Sequence, residues 1–415
     1  MSGEVQLACT VHRDNVPVLA QPQVGYILLE LMPTTIVANV QMPLNFSFVL
    51  DRSGSMGDEH KIEQLREAVK FAIDLLDSED IVSIVAFEDD ARVLVTSQPA
   101  HDKYGLKRQV DQLDAGGGTH MEKGLREGLK QVQKHLGPGR VNQLVLLTDG
   151  QTENEGDCRR EADNAGRAGI KITALGLGTD WNESLLEDVA QRAGGVADFI
   201  AQPEAISSHF QRVVQDMQGN IVQNAQLTLR LAQGVTPRKV WRVAPLISDL
   251  GVQPLSDRDV QVVLGELVKD QGQGLLVEVL LPPRAEGRYR IAQADISYDV
   301  PPLGLYGEHV RADVVIGYTP NPQFAELFNP RVMNIAEKVT AFRLQTRALQ
   351  EAQQGNASGA TQKLRQAATM LLNQGETDLA KTIQLEADRL EQQGQMSEEG
   401  KKTIKFQGGK TVKLG

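Results

Sequence analysis

A chain of 415 residues with 41% hydrophobic content has room for roughly two to four domains with real cores. Its net charge of -11 is spread rather than blocked, which argues against nucleic acid and anionic membranes as main partners. No apolar run reaches the ~18 residues of a transmembrane helix, and residues 1–20 lack a secretory leader pattern. Cys9 and Cys158 are distant single thiols without metal spacing, so a cytoplasmic protein is the expectation.

Val5–Val11, Tyr26–Met32 and Ile36–Val40 read as strands. Alone they cannot bury a face. Residues 1–42 are therefore expected to complete a discontinuous β-sandwich with residues 219–320, around an inserted domain at 43–218.

From residue 43 strand and helix patterns alternate. The strands are Leu44–Leu50, Ile81–Phe87, Arg92–Thr96, Leu144–Thr148, Lys171–Leu177 and Ala197–Ala201. Helical stripes run over Lys61–Leu76, Gly105–Leu113, Met121–His135, Arg159–Ala168, Asn182–Arg192 and Ala205–Met217. That alternation predicts a doubly wound, Rossmann-like α/β domain with a mostly parallel sheet. Arg92–Thr96 follows its predecessor too closely for a crossover, so that pair is expected to be an antiparallel edge hairpin. Gly176-Leu177-Gly178-Thr179 lacks the third glycine and the downstream acid of a dinucleotide fingerprint and reads as a tight turn. Glu88, Asp89 and Asp90 read as a solvated acidic loop.

Residues 219–320 return to short strands punctuated by Pro282-Pro283, Glu286-Gly287 and Pro301-Pro302, the pattern of an antiparallel sandwich. Residues 321–395 form a helical module of three helices, separated by Gly355 and Gly375 as C-cap signals. Residues 396–415 are rich in lysine and read as a flexible basic tail.

Chemistry concentrates at strand ends of the α/β region. Asp51-Arg52-Ser53-Gly54-Ser55 closes the first buried strand, and ligands in open α/β sheets bind beyond the carboxyl ends of strands. An Asp and two Ser at alternate positions offer hard oxygen ligands suited to Mg²⁺. Thr119 follows the glycine run Gly116-Gly117-Gly118, and Asp149-Gly150 ends a second buried strand. Each segment also has a plainer reading as turn or helix-cap chemistry.

Asp51-x-Ser53-x-Ser55, Thr119 and Asp149 together resemble the metal-ion-dependent adhesion site of von Willebrand factor A-type domains, matching in order. The resemblance covers residues 43–218. It implies that Ser53, Ser55 and Thr119 give hydroxyl oxygens to the metal, that Asp51 and Asp149 bind directly or through water, and that a partner carboxylate completes the octahedron. It leaves open whether Mn²⁺ or Ca²⁺ replaces Mg²⁺. The resulting expectation is a non-enzymatic, Mg²⁺-dependent adaptor that captures a protein presenting Asp or Glu. Asp51 and Asp149, at strand ends, are expected to face solvent.

Two alternatives stand beside it. One is a metal-assisted hydrolase, for which His120 is the candidate base. The other is a subunit of a chaperone-like ring-ATPase complex or a kinase-linked signalling complex. Bacterial cytoplasmic proteins of similar build occur near ring ATPases and kinases, and Thr403 or Thr411 would then be sites for a phosphothreonine-reading module.

Overall fold

A computed structural model describes residues 3–37, 40–137, 139–256, 258–410 and 412. The chain divides into two compact units, Gln41–Gly219 and a second built from Met1–Val40 with Asn220–Gly415.

The unit Gln41–Gly219 contains a six-stranded sheet. Its spatial order is Ala91–Pro99, Ile81–Phe87, Leu44–Asp51, Val141–Thr148, Lys171–Leu177 and Ala197–Ile200. All pairs are parallel except Ala91–Pro99 with Ile81–Phe87, the antiparallel edge. Leu44–Asp51 lies centrally and every one of its residues is buried, as a strand covered on both faces requires. Helices Lys61–Asp74 and Ile206–Gln218 cover one face, where Leu65, Val69, Phe210 and Val214 meet Phe46, Phe48 and Leu147. The Phe48 and Phe210 rings stack at 5.1 Å. Helix Met121–Gln133 lies on the other face at very short range. A Cβ at Gly128 would come within 2.5 Å of Val49, and one at Gly124 within 2.6 Å of the Phe87 ring.

From Leu44–Asp51 the chain first adds Ile81–Phe87 on one side, then crosses to add Val141–Thr148 on the other. The strand order therefore reverses between Leu44–Asp51 and Val141–Thr148. Such a reversal opens a crevice at the carboxyl ends of the two strands.

The second unit is a β-sandwich with helices. Its five-stranded sheet runs Val5–Val11, Gln23–Pro33, Gln273–Leu281, Thr236–Ala244, Ser248–Asp249, all antiparallel. Its six-stranded sheet runs Gln253–Pro254, Asp259–Val268, Asn220–Leu231, Gly287–Val300, Leu305–Thr319, Asn15–Pro17. Inward residues of both sheets, among them Ile27, Leu29, Leu227, Leu229 and Ile296, share one core. Two details depart from the sequence reading. Asn15–Pro17 adds a short edge strand, parallel to Leu305–Thr319. Ile36 and Val37 lie in a turn rather than in a strand, and residues 38 and 39 of that expected strand lie outside the described residues.

The three expected helices of the C-terminal module are Pro330–Gln353, Ala357–Asn373 and Thr377–Gln393, preceded by the short helix Pro322–Ala325, and among the described residues a further helix, Glu398–Gly408, follows them. Gly355 and Gly375 adopt left-handed φ of 83° and 82° where Pro330–Gln353 and Ala357–Asn373 end. Helix Glu398–Gly408 replaces most of the expected flexible tail at 396–415. Met396 and Ile404 are buried in the core of the bundle with Leu364, Ile383 and Leu390. Thr403 lies within this helix, while Thr411 falls outside the described residues. Val332, Ile335 and Val339 of Pro330–Gln353 pack on Leu28, Trp241 and Leu276 of the five-stranded sheet. Among the described residues no helix is long and apolar enough to cross a membrane.

Candidate metal centre

Asp51 is the last residue of its strand, and Asp149 follows the end of the strand Val141–Thr148, so the two acids flank the crevice where the strand order reverses. Both are buried, Asp51 at 0% and Asp149 at 2% exposure, which corrects the expectation that they face solvent. The crevice walls, rather than the open strand ends, set their burial.

Asp51 has both oxygens engaged. Oδ1 accepts from the Ser53 backbone N–H at 2.8 Å and Oδ2 from the Thr148 hydroxyl at 2.5 Å. Burial pushes its carboxyl up to about 6, helped by the charge of Asp149 and opposed by the hydrogen bonds from Thr148 and Ser53. Ser53 Oγ lies 3.1 Å from Ser55 Oγ, and the Ser55 hydroxyl donates to Asp149 Oδ1 at 2.7 Å. Four of the five singled-out residues thus form one connected polar cluster.

Thr119 sits beside the cluster on a tethered loop. The Gly116 N–H donates to Arg52 O at 2.7 Å, Gly54 N–H to Gly117 O at 3.0 Å, and His120 N–H to Glu88 O at 2.7 Å. Gly117 has φ of 82°, and a Cβ there would fall 2.3 Å from Glu88 Oε2, so only glycine fits. Asp89 Oδ1 accepts from Gly118 N–H at 3.1 Å, and Arg52 lies 3.6 Å from Glu88. The acidic loop read as solvated therefore fastens the threonine loop. Gly150 faces the hydroxyls: a Cβ on it would stand 3.4 Å from Thr119 Oγ1 and 4.0 Å from Ser55 Oγ. The space between these oxygens is lined by a residue without a side chain.

This donor set fits a hard divalent cation, with two carboxylates and three hydroxyls on one small space. Among the described residues no group of three or more His, Cys, Asp or Glu side chains is placed to hold a metal, so any ion here depends on the hydroxyls. Asp51, Ser53, Ser55, Thr119 and Asp149 are the residues that would hold it.

Two features were missed in the sequence. Lys61 Nζ donates to Asp149 Oδ2 at 2.7 Å and lies 3.4 Å from Ser55 O. The preceding residues Glu59 and His60 both take left-handed φ, 51° and 57°, which returns the chain over Ser55. A lysine opening a helix ordinarily reads as a solvated charge, so nothing in the pattern marked it. The second is the partner of His120, the candidate base. Its Nδ1 lies 3.2 Å from Oε1 of the buried Glu122 and 3.2 Å from Asn154 Nδ2. Glu122 is the second residue of helix Met121–Gln133, whose polar positions look exposed by spacing alone.

Residues 45–213 match the von Willebrand factor type A domain model, and residues 330–413 match the Sll0103-like, C-terminal alpha-helical domain model. The chain is 33% identical over 270 residues to the Synechocystis protein sll0103, covering 64% of this chain and 63% of that one. The match thus spans less than two thirds of that relative's length. A solved von Willebrand factor type A structure from Catenulispora acidiphila superposes with a TM-score of 0.76 at 19% identity, over 98% of this chain and 97% of that one. The ArnB paralog VWA2 from Sulfolobus acidocaldarius does so with a TM-score of 0.57 at 15% identity, over 99% and 100%. At these identities the likeness concerns the fold. Domains of this family commonly bind a metal and mediate protein interactions. The fold, the order of the site residues and the family match agree: this chain carries a von Willebrand factor A-type domain, joined to a β-sandwich and an Sll0103-like helical domain.

Proposed function

We infer that the A-type domain binds Mg²⁺ through Asp51, Ser53, Ser55, Thr119 and Asp149 and uses it to capture a carboxylate on a protein partner. The observation that carries this reading is the convergence of two buried carboxylates and three hydroxyls at the reversal of strand order. Mg²⁺ supplies Lewis acidity when bound. Neutral hydroxyls hold such an ion without cancelling its charge, so an incoming Asp or Glu remains attracted. Ser55 is exposed and Thr119 half-buried, which leaves the hydroxyl side open to a partner, while Asp51 and Asp149 close the inner side. Affinity for a whole protein also needs a rim of ordinary contacts.

The test is calorimetric titration of the full chain with MgCl₂, beside Asp149→Asn, which keeps the acceptor for Ser55 and removes the charge. Saturable uptake lost in the variant is the expected result. Equal uptake by both chains, or by neither, sinks the reading. Affinity capture with Mg²⁺, with chelator and with the variant then tests the partner: proteins retained equally in all three arms would not be metal-gated.

A second reading, metal-assisted hydrolysis, draws on the contact of His120 Nδ1 with Glu122. With Nδ1 protonated toward Glu122 the ring presents Nε2 as an acceptor, the arrangement of a general base, whereas the Asn154 amide, a donor 3.2 Å from the same Nδ1, favours the opposite tautomer. Mg²⁺-dependent hydrolysis of ester substrates abolished by His120→Ala would favour it, and activity retained by that variant would dismiss it.

A further inference from the structure

Lys61 stands where local forces disfavour a cation. It is the first residue of helix Lys61–Asp74, the end at which the helix dipole repels positive charge. Its side chain is only 13% exposed, although lysine is normally solvated. It faces Asp149, whose side chain has no exposed surface. Its ammonium occupies Oδ2 and leaves Oδ1 to the Ser55 hydroxyl. An ammonium has no lone pair and cannot ligate a metal. It therefore sits behind Asp149 as a fixed positive charge, with the hydroxyl-lined space on the opposite oxygen.

The charge of the loaded cluster follows. Two carboxylates and one divalent cation sum to zero. With the Lys61 ammonium the sum is one positive charge. A neutral cluster offers an incoming carboxylate only the local field of the ion, whereas a positive one also attracts it by net charge. The same charge repels the divalent cation when no carboxylate is present.

Resting on the metal-binding reading above, we propose that Lys61 couples the two ligands of the site: it weakens metal binding alone and strengthens carboxylate binding to the metal-loaded site. Metal and partner then bind with positive cooperativity, each raising the affinity of the other by one factor. Lys61 is a positioning and charge-setting residue for this site, not a ligand.

The experiment is calorimetric titration of the full chain with Mn²⁺, in sodium acetate and in chloride of matched ionic strength. It is run on wild type, Lys61→Met, Lys61→Gln and Asp149→Asn. Wild type is expected to bind Mn²⁺ more tightly in acetate than in chloride. Lys61→Met and Lys61→Gln are expected to bind Mn²⁺ about tenfold more tightly in chloride, with the acetate enhancement reduced toward one. A merely structural lysine would weaken binding in both buffers, so opposite movement of the two readouts is diagnostic. Unchanged or weaker Mn²⁺ binding by both variants overturns the proposal. Absence of acetate enhancement in wild type overturns it as well, and needs no variant to fold. No saturable Mn²⁺ binding by wild type, or equal binding by Asp149→Asn, removes the metal site itself, which is a separate failure.

Discussion

Asp51 shows how function and stability oppose each other at single residues. Its carboxylate is buried at 0% exposure and pushed up to about 6 by that burial, so its charged form is held at a cost that a bound cation would offset. Asp51→Asn removes the charge and keeps an oxygen for the Ser53 N–H. In chelator this variant is expected to protect the amides of Leu44–Asp51 from hydrogen exchange at least as well as wild type, while metal binding is lost. Lower protection would mean that the ionised carboxylate itself stabilises the strand. Asp51→Ala is a poorer probe, since it strands the Thr148 hydroxyl and the Ser53 N–H at about 1–3 kcal/mol each. His12, in the sandwich unit, supplies a second case. It is 5% exposed, and its Nδ1 accepts from the Tyr26 N–H at 3.2 Å. Burial, followed by the charge of Arg13, lowers its pKa from 6.5 to about 4. The unfolded chain therefore binds more protons between those values. Stability is complete above pH 6.5 and declines as pH falls toward 4. Between pH 7 and pH 5 the loss attributable to His12 is about 2 kcal/mol, and His12→Phe should remove that part of the urea-midpoint shift. An equal shift in the variant would assign the pH dependence to other groups.

Legibility at the scale of elements follows burial symmetry. Leu44–Asp51 and Ile81–Phe87 are buried at every position, so their apolar runs are continuous and readable. The antiparallel edge was readable from loop length alone, because three residues separate Ile81–Phe87 from Ala91–Pro99 and no crossover fits. Asp51, Ser53, Ser55, Thr119 and Asp149 stood out only as a set, through their ordered resemblance to an adhesion site, since each segment alone reads equally as turn or cap chemistry, and the structure joins four of them in one polar cluster. Lys61 and Glu122 did not stand out, because a charged residue on a helix is indistinguishable from a solvated one until its partner's place in the sheet is known. The last helix was hidden by composition. Lysines at 401, 402 and 405 suggested a solvated tail, although the start signal was present: the Ser397 side chain accepts from Gly400 N–H, with Glu398 and Glu399 in the first turn. Packing decided the outcome through Met396 and Ile404. Ile404→Ala is expected to destabilise the bundle by about 2–5 kcal/mol, since it removes a side chain 1% exposed among Leu364, Ile383 and Leu390. The readout is amide exchange of Ala357–Asn373 and Thr377–Gln393 in the full chain. Unchanged exchange would show the last helix to be a loose cap rather than part of the core.

At the scale of the whole molecule, the N-terminal strands tie the two ends of the sequence together. Val5–Val11 pairs with Gln23–Pro33, and Gln23–Pro33 pairs with Gln273–Leu281 through nine consecutive residue partners. Ile27, Leu29 and Leu31 enter the sandwich core on one face of that strand, and Leu28 packs with Val332 and Ile335 of the first bundle helix on the other. One strand near the start thus supplies apolar surface to both the sandwich and the helical module, so both should fail together when it is absent. The unit Gln41–Gly219 draws its core from its own residues, from Met42 to Met217. Deleting residues 1–40 is therefore expected to abolish exchange protection in Gln273–Leu281 and Thr236–Ala244 while leaving Leu44–Asp51 and Val141–Thr148 protected. Mg²⁺ uptake should survive the deletion, because every residue assigned to the metal lies in the retained unit. Loss of protection in Leu44–Asp51 would show that the A-type domain depends on the sandwich for its fold. Retained protection in Gln273–Leu281 would show that the late strands make a sheet without the early ones. Either result would mean that the insertion does not divide the chain into independently stable parts along the line its contacts draw.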